Sequence, residues 1–204
     1  MSRAHIRLRK GDRAGALADT GAAAASVPKG SLDAMAIAGL YVQLGAADRA
    51  LELVDPVLAM HRADSAYPEL LNASAWFRAL ANRGLDRALA DINLAIKKAG
   101  TRPAMLDTRA LVQVRRKNLQ AAIADETTAL QQNPKLAAAL FTRGIARVAS
   151  GDQAGGEADV SGARKLQPTI DRIYARYGLQ APGQPPATSA GESLEPESRL
   201  ASPQ

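Results

Sequence analysis

Residues 140–168 read LFTRGIARVASGDQAGGEADVSGARKLQP, and their second half has an earlier counterpart. GDRAGALADTGAAAASVP at 11–28 matches GDQAGGEADVSGARKLQP at 151–168 at eight of eighteen positions, among them Gly11/Gly151, Asp12/Asp152, Asp19/Asp159 and Pro28/Pro168. The offset of 140 is not itself the repeat length. Asp91, Asp125 and Asp159 lie 34 apart, each preceded by alanine, with Ala95, Ala129 and Ala163 four residues on. Arg109-Ala110 becomes Arg143-Gly144 after one period, Pro134 becomes Pro168, and Gly11, Ala16 and Leu17 become Gly45, Ala50 and Leu51. Only Ala50 to Ala88 departs, at 38, so one four-residue insertion reconciles 140 with four periods.

A period near 34 with two helical stretches per unit marks a helical solenoid, whose units bury their apolar faces only against neighbours. The residues resemble tetratricopeptide repeats: a small residue mid-way along the first helix, a Gly-Asp turn, alanines in the second helix and a closing proline. Gly144, Gly151-Asp152, Ala163 and Pro168 supply the clearest match. Residues 103–136 follow, with Lys117-Asn118 at the turn; 69–102 place Trp76 at the small position, Gly84 one place late and Gly100 for proline. Residues 31–68 keep Tyr41, Gly45 and Ala50 but carry Pro56 inside the second helix, where a break or kink is expected.

The resemblance implies an all-α fold, an α-α superhelix of about five helix-turn-helix units (1–30, 31–68, 69–102, 103–136, 137–170) plus a C-terminal capping helix at 170–178. In that helix Ile170, Ile173, Tyr174 and Tyr177 share a face and Gly178 is the stop. The repeat domain is expected to span 1–179. Residues 180–204, rich in proline, serine and glycine, are expected to form a disordered tail.

Composition agrees. The 204 residues are 47% hydrophobic, much of it alanine, and only 3% aromatic, a mixture suited to helices at short range. There is no cysteine, which excludes disulfides, thiolate metal sites and cysteine nucleophiles. The basic start MSRAHIRLRK imitates a signal peptide, but Asp12 and Asp19 interrupt an apolar region, and no apolar run suffices to span a bilayer. The expected location is cytoplasmic, or periplasmic if a signal segment precedes the given start.

No catalytic constellation is legible. His5 and His61 are far apart, with no second histidine or carboxylate at helix spacing to make a metal site, and GDQAGG lacks the GKS ending of a phosphate loop. No enzyme activity, metal or cofactor is expected. The net charge of +6 draws on Arg3, Arg7, Arg9, Lys10 and Arg13, and on Arg115, Arg116 and Lys117. Nucleic acid is therefore the alternative partner, disfavoured because no stripe of exposed aromatics accompanies the basic clusters. Arg109, Arg143, Asp125 and Asp159 recur with the period and are expected to form salt bridges at the interhelix seam.

In tetratricopeptide proteins the first helices line a concave groove. Carried over residue by residue, the proposed binding positions are Met35, Val42, Phe77, Leu80, Leu111, Val114, Phe141, Ile145 and Val148, with Leu32, Gly39, Leu70, Ala73 and Asp107 beside them. The lining is mostly apolar and lacks the lysine, asparagine and arginine that clamp a chaperone's terminal carboxylate. Three coverings are open: an apolar partner helix or peptide, a second copy of the chain, or curvature tight enough to make these residues core. The function expected is a non-catalytic interaction scaffold with a protein or peptide partner.

Overall fold

The computed structural model describes residues 2–181, and these form eleven helices without a strand. They are α1 (Ser2–Arg9), α2 (Arg13–Ser26), α3 (Asp33–Gln43), α4 (Ala47–Met60), α5 (Tyr67–Ala81), α6 (Leu85–Ala99), α7 (Pro103–Arg115), α8 (Leu119–Gln132), α9 (Ala137–Ala149), α10 (Gln153–Leu166) and α11 (Ile170–Ala175). Consecutive helices pair, α1 with α2 through α9 with α10, and each pair stacks on the next, giving an α-α superhelix. The tail expected from residue 180 lies, from 182 onward, outside the described residues.

The turn between paired helices explains the opening repeat. Gly11, Gly45 and Gly151 all have φ between +71° and +98°, the left-handed region that glycine enters without a Cβ penalty. Lys117 holds the same place at φ 63°, so a lysine bears the strain there. Asp12 and Asp152 then cap the following helices, accepting hydrogen bonds from Gly15 N at 2.8 Å and Gly155 N at 3.0 Å.

Small residues set the approach of the paired helices. A Cβ on Gly144 would lie 2.7 Å from Val160 Cγ2 and 2.8 Å from Gly156 O, so α9 and α10 cross in near backbone contact. In unit three the half-buried Trp76 occupies the repeat position, and the adjacent Ala75 is the fully buried small residue.

Two bidentate forks fix the seam as expected. Arg109 reaches Asp125 with Nε–Oδ2 2.8 Å and Nη2–Oδ1 2.7 Å, and Arg143 reaches Asp159 at 2.7 Å twice. Each arginine also bonds backwards by the same separation, Arg109 to Asn93 and Arg143 to Thr127. A third fork, Arg3 to Asp19, recurs in the first unit and was not anticipated.

Pro56 does not break its helix. α4 continues to Met60, because Val57 and Leu58 beyond the proline are buried and their packing outweighs one lost backbone bond. The insertion falls in the following loop, where His61 bonds the Asp64 carboxylate at 2.6 Å and the Gly30 carbonyl at 2.9 Å. Asp64 stands at i+3 from His61, contrary to the expectation of no carboxylate at helix spacing, and it ties a turn.

Two substitutions test this architecture by chemical denaturation. Gly144→Ala should lose about 2 kcal/mol by overpacking, despite alanine's better helix propensity. Lys117→Gly should gain about 0.5–1 kcal/mol by releasing the left-handed strain.

Candidate functional site

The first helices α5, α7 and α9 pack on one another from unit to unit more than the second helices do, which puts them on the inner side of the stack, and the chain's C-terminal segment contacts them and α3 there. Ile170, Tyr174, Leu179 and Ala181 are buried in the same apolar cluster as Val42, Phe77, Leu80, Leu111, Val114 and Phe141. Phe141, wholly buried, packs on Tyr174 with ring centroids 4.7 Å apart and planes tilted by 42°. The Tyr177 hydroxyl donates to the Val42 carbonyl on α3, and Arg176 Nη1 reaches Gln43 O at 3.4 Å. Arg115 of α7 bridges the two sides, donating to Ala79 O at 3.0 Å and to Tyr177 O. The segment is therefore more than an end cap: it returns from unit five to unit two.

The proposed groove positions are not equally available. Met35 and Ile145 are half-buried against the core, while Leu32 is exposed. Val148 is turned elsewhere, its side chain 2.4 Å from where a Gly156 Cβ would stand, so it serves the α9–α10 crossing. A cleft of about 410 Å³ remains open beside the segment, lined by Val114, Ile145, Leu119, Gly178 and Leu179.

Under the segment lies a pair of which the sequence offered only half: Asp107 was among the groove positions, while Glu126 and their pairing were missed. Asp107 of α7 and Glu126 of α8 are buried side by side. Asp107 Oδ1 and both Glu126 oxygens have no hydrogen-bond donor among the described residues, other than a proton shared between the two carboxyls. Burial pushes Asp107 up to about 6, and burial together with the Asp107 charge raises Glu126 well above the usual range. The buried Tyr174 phenol is also raised, first by burial and then by the Asp107 charge, and the Thr142 hydroxyl lies beside it. The two acids stand 19 apart with no recurring partner, so only their burial reveals them.

The cationic clusters are largely committed. Arg3 and Arg7 pair with Asp19, Arg13 donates to Leu44 O at 2.7 Å, and Arg116 pairs with Asp86. Burial lowers the pKa of Arg115. Among the described residues no group of three His, Asp or Glu is placed to hold a metal ion, and no helix is long and apolar enough to cross a membrane.

Neither a comparison with protein families nor one with curated protein sequences returns a match. Solved structures do match. A tetratricopeptide repeat protein from Parabacteroides merdae is 18% identical, with 74% of this chain aligned to 59% of that one at a TM-score of 0.51. The TPR2AB-domain:pHSP90 complex of yeast Sti1 is 19% identical, with 87% of this chain aligned to 83% of that one at 0.40. The fold is that of a tetratricopeptide-type helical repeat protein. The chain spans about three-fifths of the length of the first of these structures.

The carboxyl pair gives a pH dependence of definite sign. Between the unfolded value near 4 and the folded value, the native state holds more protons than the unfolded chain. The pair's contribution is thus fully present below about pH 4 and is lost as pH rises through the raised native values. Glu126→Gln removes one of the two ionisations. It should raise Tm by about 4 °C or more at pH 8 and change it little at pH 4, read by differential scanning calorimetry.

Proposed function

We propose that this chain is a non-catalytic, cofactor-free protein-interaction scaffold whose concave face docks an apolar helix or peptide of another protein, in the place that residues 170–181 fill. One observation carries the reading. A short helix followed by a turn and a few irregular residues already lies in that face, its side chains in apolar contact, with Arg176 and Tyr177 bonding to α3, Arg115 to the Tyr177 carbonyl and Arg164 of α10 to Asp171. A groove of this shape accepts a partner segment by the same apolar contacts. The 410 Å³ cleft beside Leu179 offers a first foothold, at Val114 and Ile145.

The alternative reading, a nucleic-acid accessory protein, draws less support. Phosphate contacts need free cations, and Arg3, Arg7, Arg115 and Arg116 all have internal partners.

A photo-crosslinking residue at position 145 of the full chain tests the scaffold reading, with position 157 on the exposed face of α10 as control. Protein crosslinks should form from 145 and not 157, and their yield should rise when Tyr174→Ala loosens the resident segment. Equal crosslinking from both positions, or a fall with Tyr174→Ala, would count against it.

A further inference from the structure

The floor beneath Tyr174 carries chemistry that a purely apolar ligand leaves unexplained. Asp107 and Glu126 are buried, and Asp107 Oδ1 and both Glu126 oxygens receive no donor from elsewhere among the described residues. Tyr174 and Thr142, also buried, present hydroxyls without a well-formed hydrogen bond. Burying ionisable groups is costly unless they are paired, and apolar side chains of like volume would serve a mere core better. No cation settles the account from within. Asp125, beside Glu126 in sequence, holds Arg109; Arg143, whose charge is felt at Glu126, is held by Asp159, which also takes Arg147.

We propose that the concave face takes a partner-protein segment carrying one lysine or arginine among apolar residues, the cation seating on Asp107 and Glu126 where the Tyr174 hydroxyl now lies. The proposal rests on the docking reading above and names the partner's chemistry. Charge complementarity carries it: two adjacent carboxyls lack donors, and an ammonium or guanidinium brings several. A lysine side chain reaches about as far from its Cα as a tyrosine hydroxyl does, so the cation fits the present backbone path. The flanking seats, which hold Ile170 one helical turn earlier and Leu179 after the glycine turn, are apolar and call for apolar partner residues. The Tyr174 hydroxyl makes no hydrogen bond to either carboxyl, so the resident segment leaves the pair unanswered and is the weaker occupant. Burial raises both acids, so the cation must displace fewer protons as pH rises, and affinity climbs with pH.

The test begins in the full chain, comparing Tyr174→Lys with Tyr174→Met by thermal melting at pH 8. The lysine variant should melt several degrees above the methionine variant, and the order should reverse when both also carry Asp107→Asn and Glu126→Gln. A lysine variant that melts below the methionine one in the native acidic background overturns the proposal. A second arm titrates fluorescein-labelled peptides copying residues 168–181, with Tyr174→Lys or Tyr174→Met, into the full chain at pH 8 and 5.5. The lysine peptide should bind roughly tenfold tighter at pH 8, with the advantage shrinking at pH 5.5. Equal binding of the two peptides leaves the docking groove standing and overturns the cation site. Binding of neither removes the docking reading, while the melting comparison still decides the cation site. Should position 174 tolerate no substitution, the peptides on the wild-type chain decide, and no preference for lysine counts against the proposal.

Discussion

Close approach of paired helices is the constraint on which the rest depends, because two helices come within backbone contact only where neither presents more than a methyl group. Ala16, Ala50, Ala88, Ala122 and Gly156 hold this row on the second helices, and all are buried. Ala4, Ala38, Ala110 and Gly144 hold it on the first helices. With the pairs locked at alanine distance, larger side chains pack between units and toward the concave side. That geometry explains how an alanine-rich chain with few aromatics builds one large core cluster from α3 to the C-terminal segment, with two smaller clusters beside it. The Arg–Asp forks act at the same level: a planar guanidinium bonded twice to one carboxylate fixes an angle as well as a distance.

What recurs at the period could be read from the sequence, and what occurs once could not. The left-handed turns, the Asp12 and Asp152 caps and the Arg109 and Arg143 forks all follow from residues 34 or 140 apart. The Arg3–Asp19 fork has the same separation of 16 and was equally legible, since Asp19 matches Asp159, but Arg3 was read only as part of a basic cluster. Pro56 misled, because a local rule about a missing N–H ignores the packing of the residues beyond it. The Asp107–Glu126 pair and the return of Tyr177 to Val42 depend on tertiary burial and on a contact 135 residues apart, and neither leaves a trace in a pattern of spacing.

The concave face joins these features to function. Phe77, Leu111 and Phe141, named as groove residues, are buried in the cluster that also holds Tyr174 and Leu179, and Phe141 packs directly on Tyr174. On the proposed docking reading, a tethered occupant competes at high effective concentration, and a partner has to exceed it in affinity. In the proposed cation site the orphaned carboxyls would supply one basis for that excess, since they are polar groups the resident segment leaves unanswered. Local opening of a terminal segment generally costs less than global unfolding, which makes exchange of occupants possible without loss of the repeats.

Native-state amide hydrogen exchange of the full chain, followed by mass spectrometry, tests this most directly. The account predicts that peptides covering 170–179 are protected but exchange through a local opening of lower free energy than α7 to α10, and that denaturant changes this opening little. Exchange of 170–179 only together with α7 to α10, at the global unfolding free energy, would make the segment an inseparable part of the core and contradict the account.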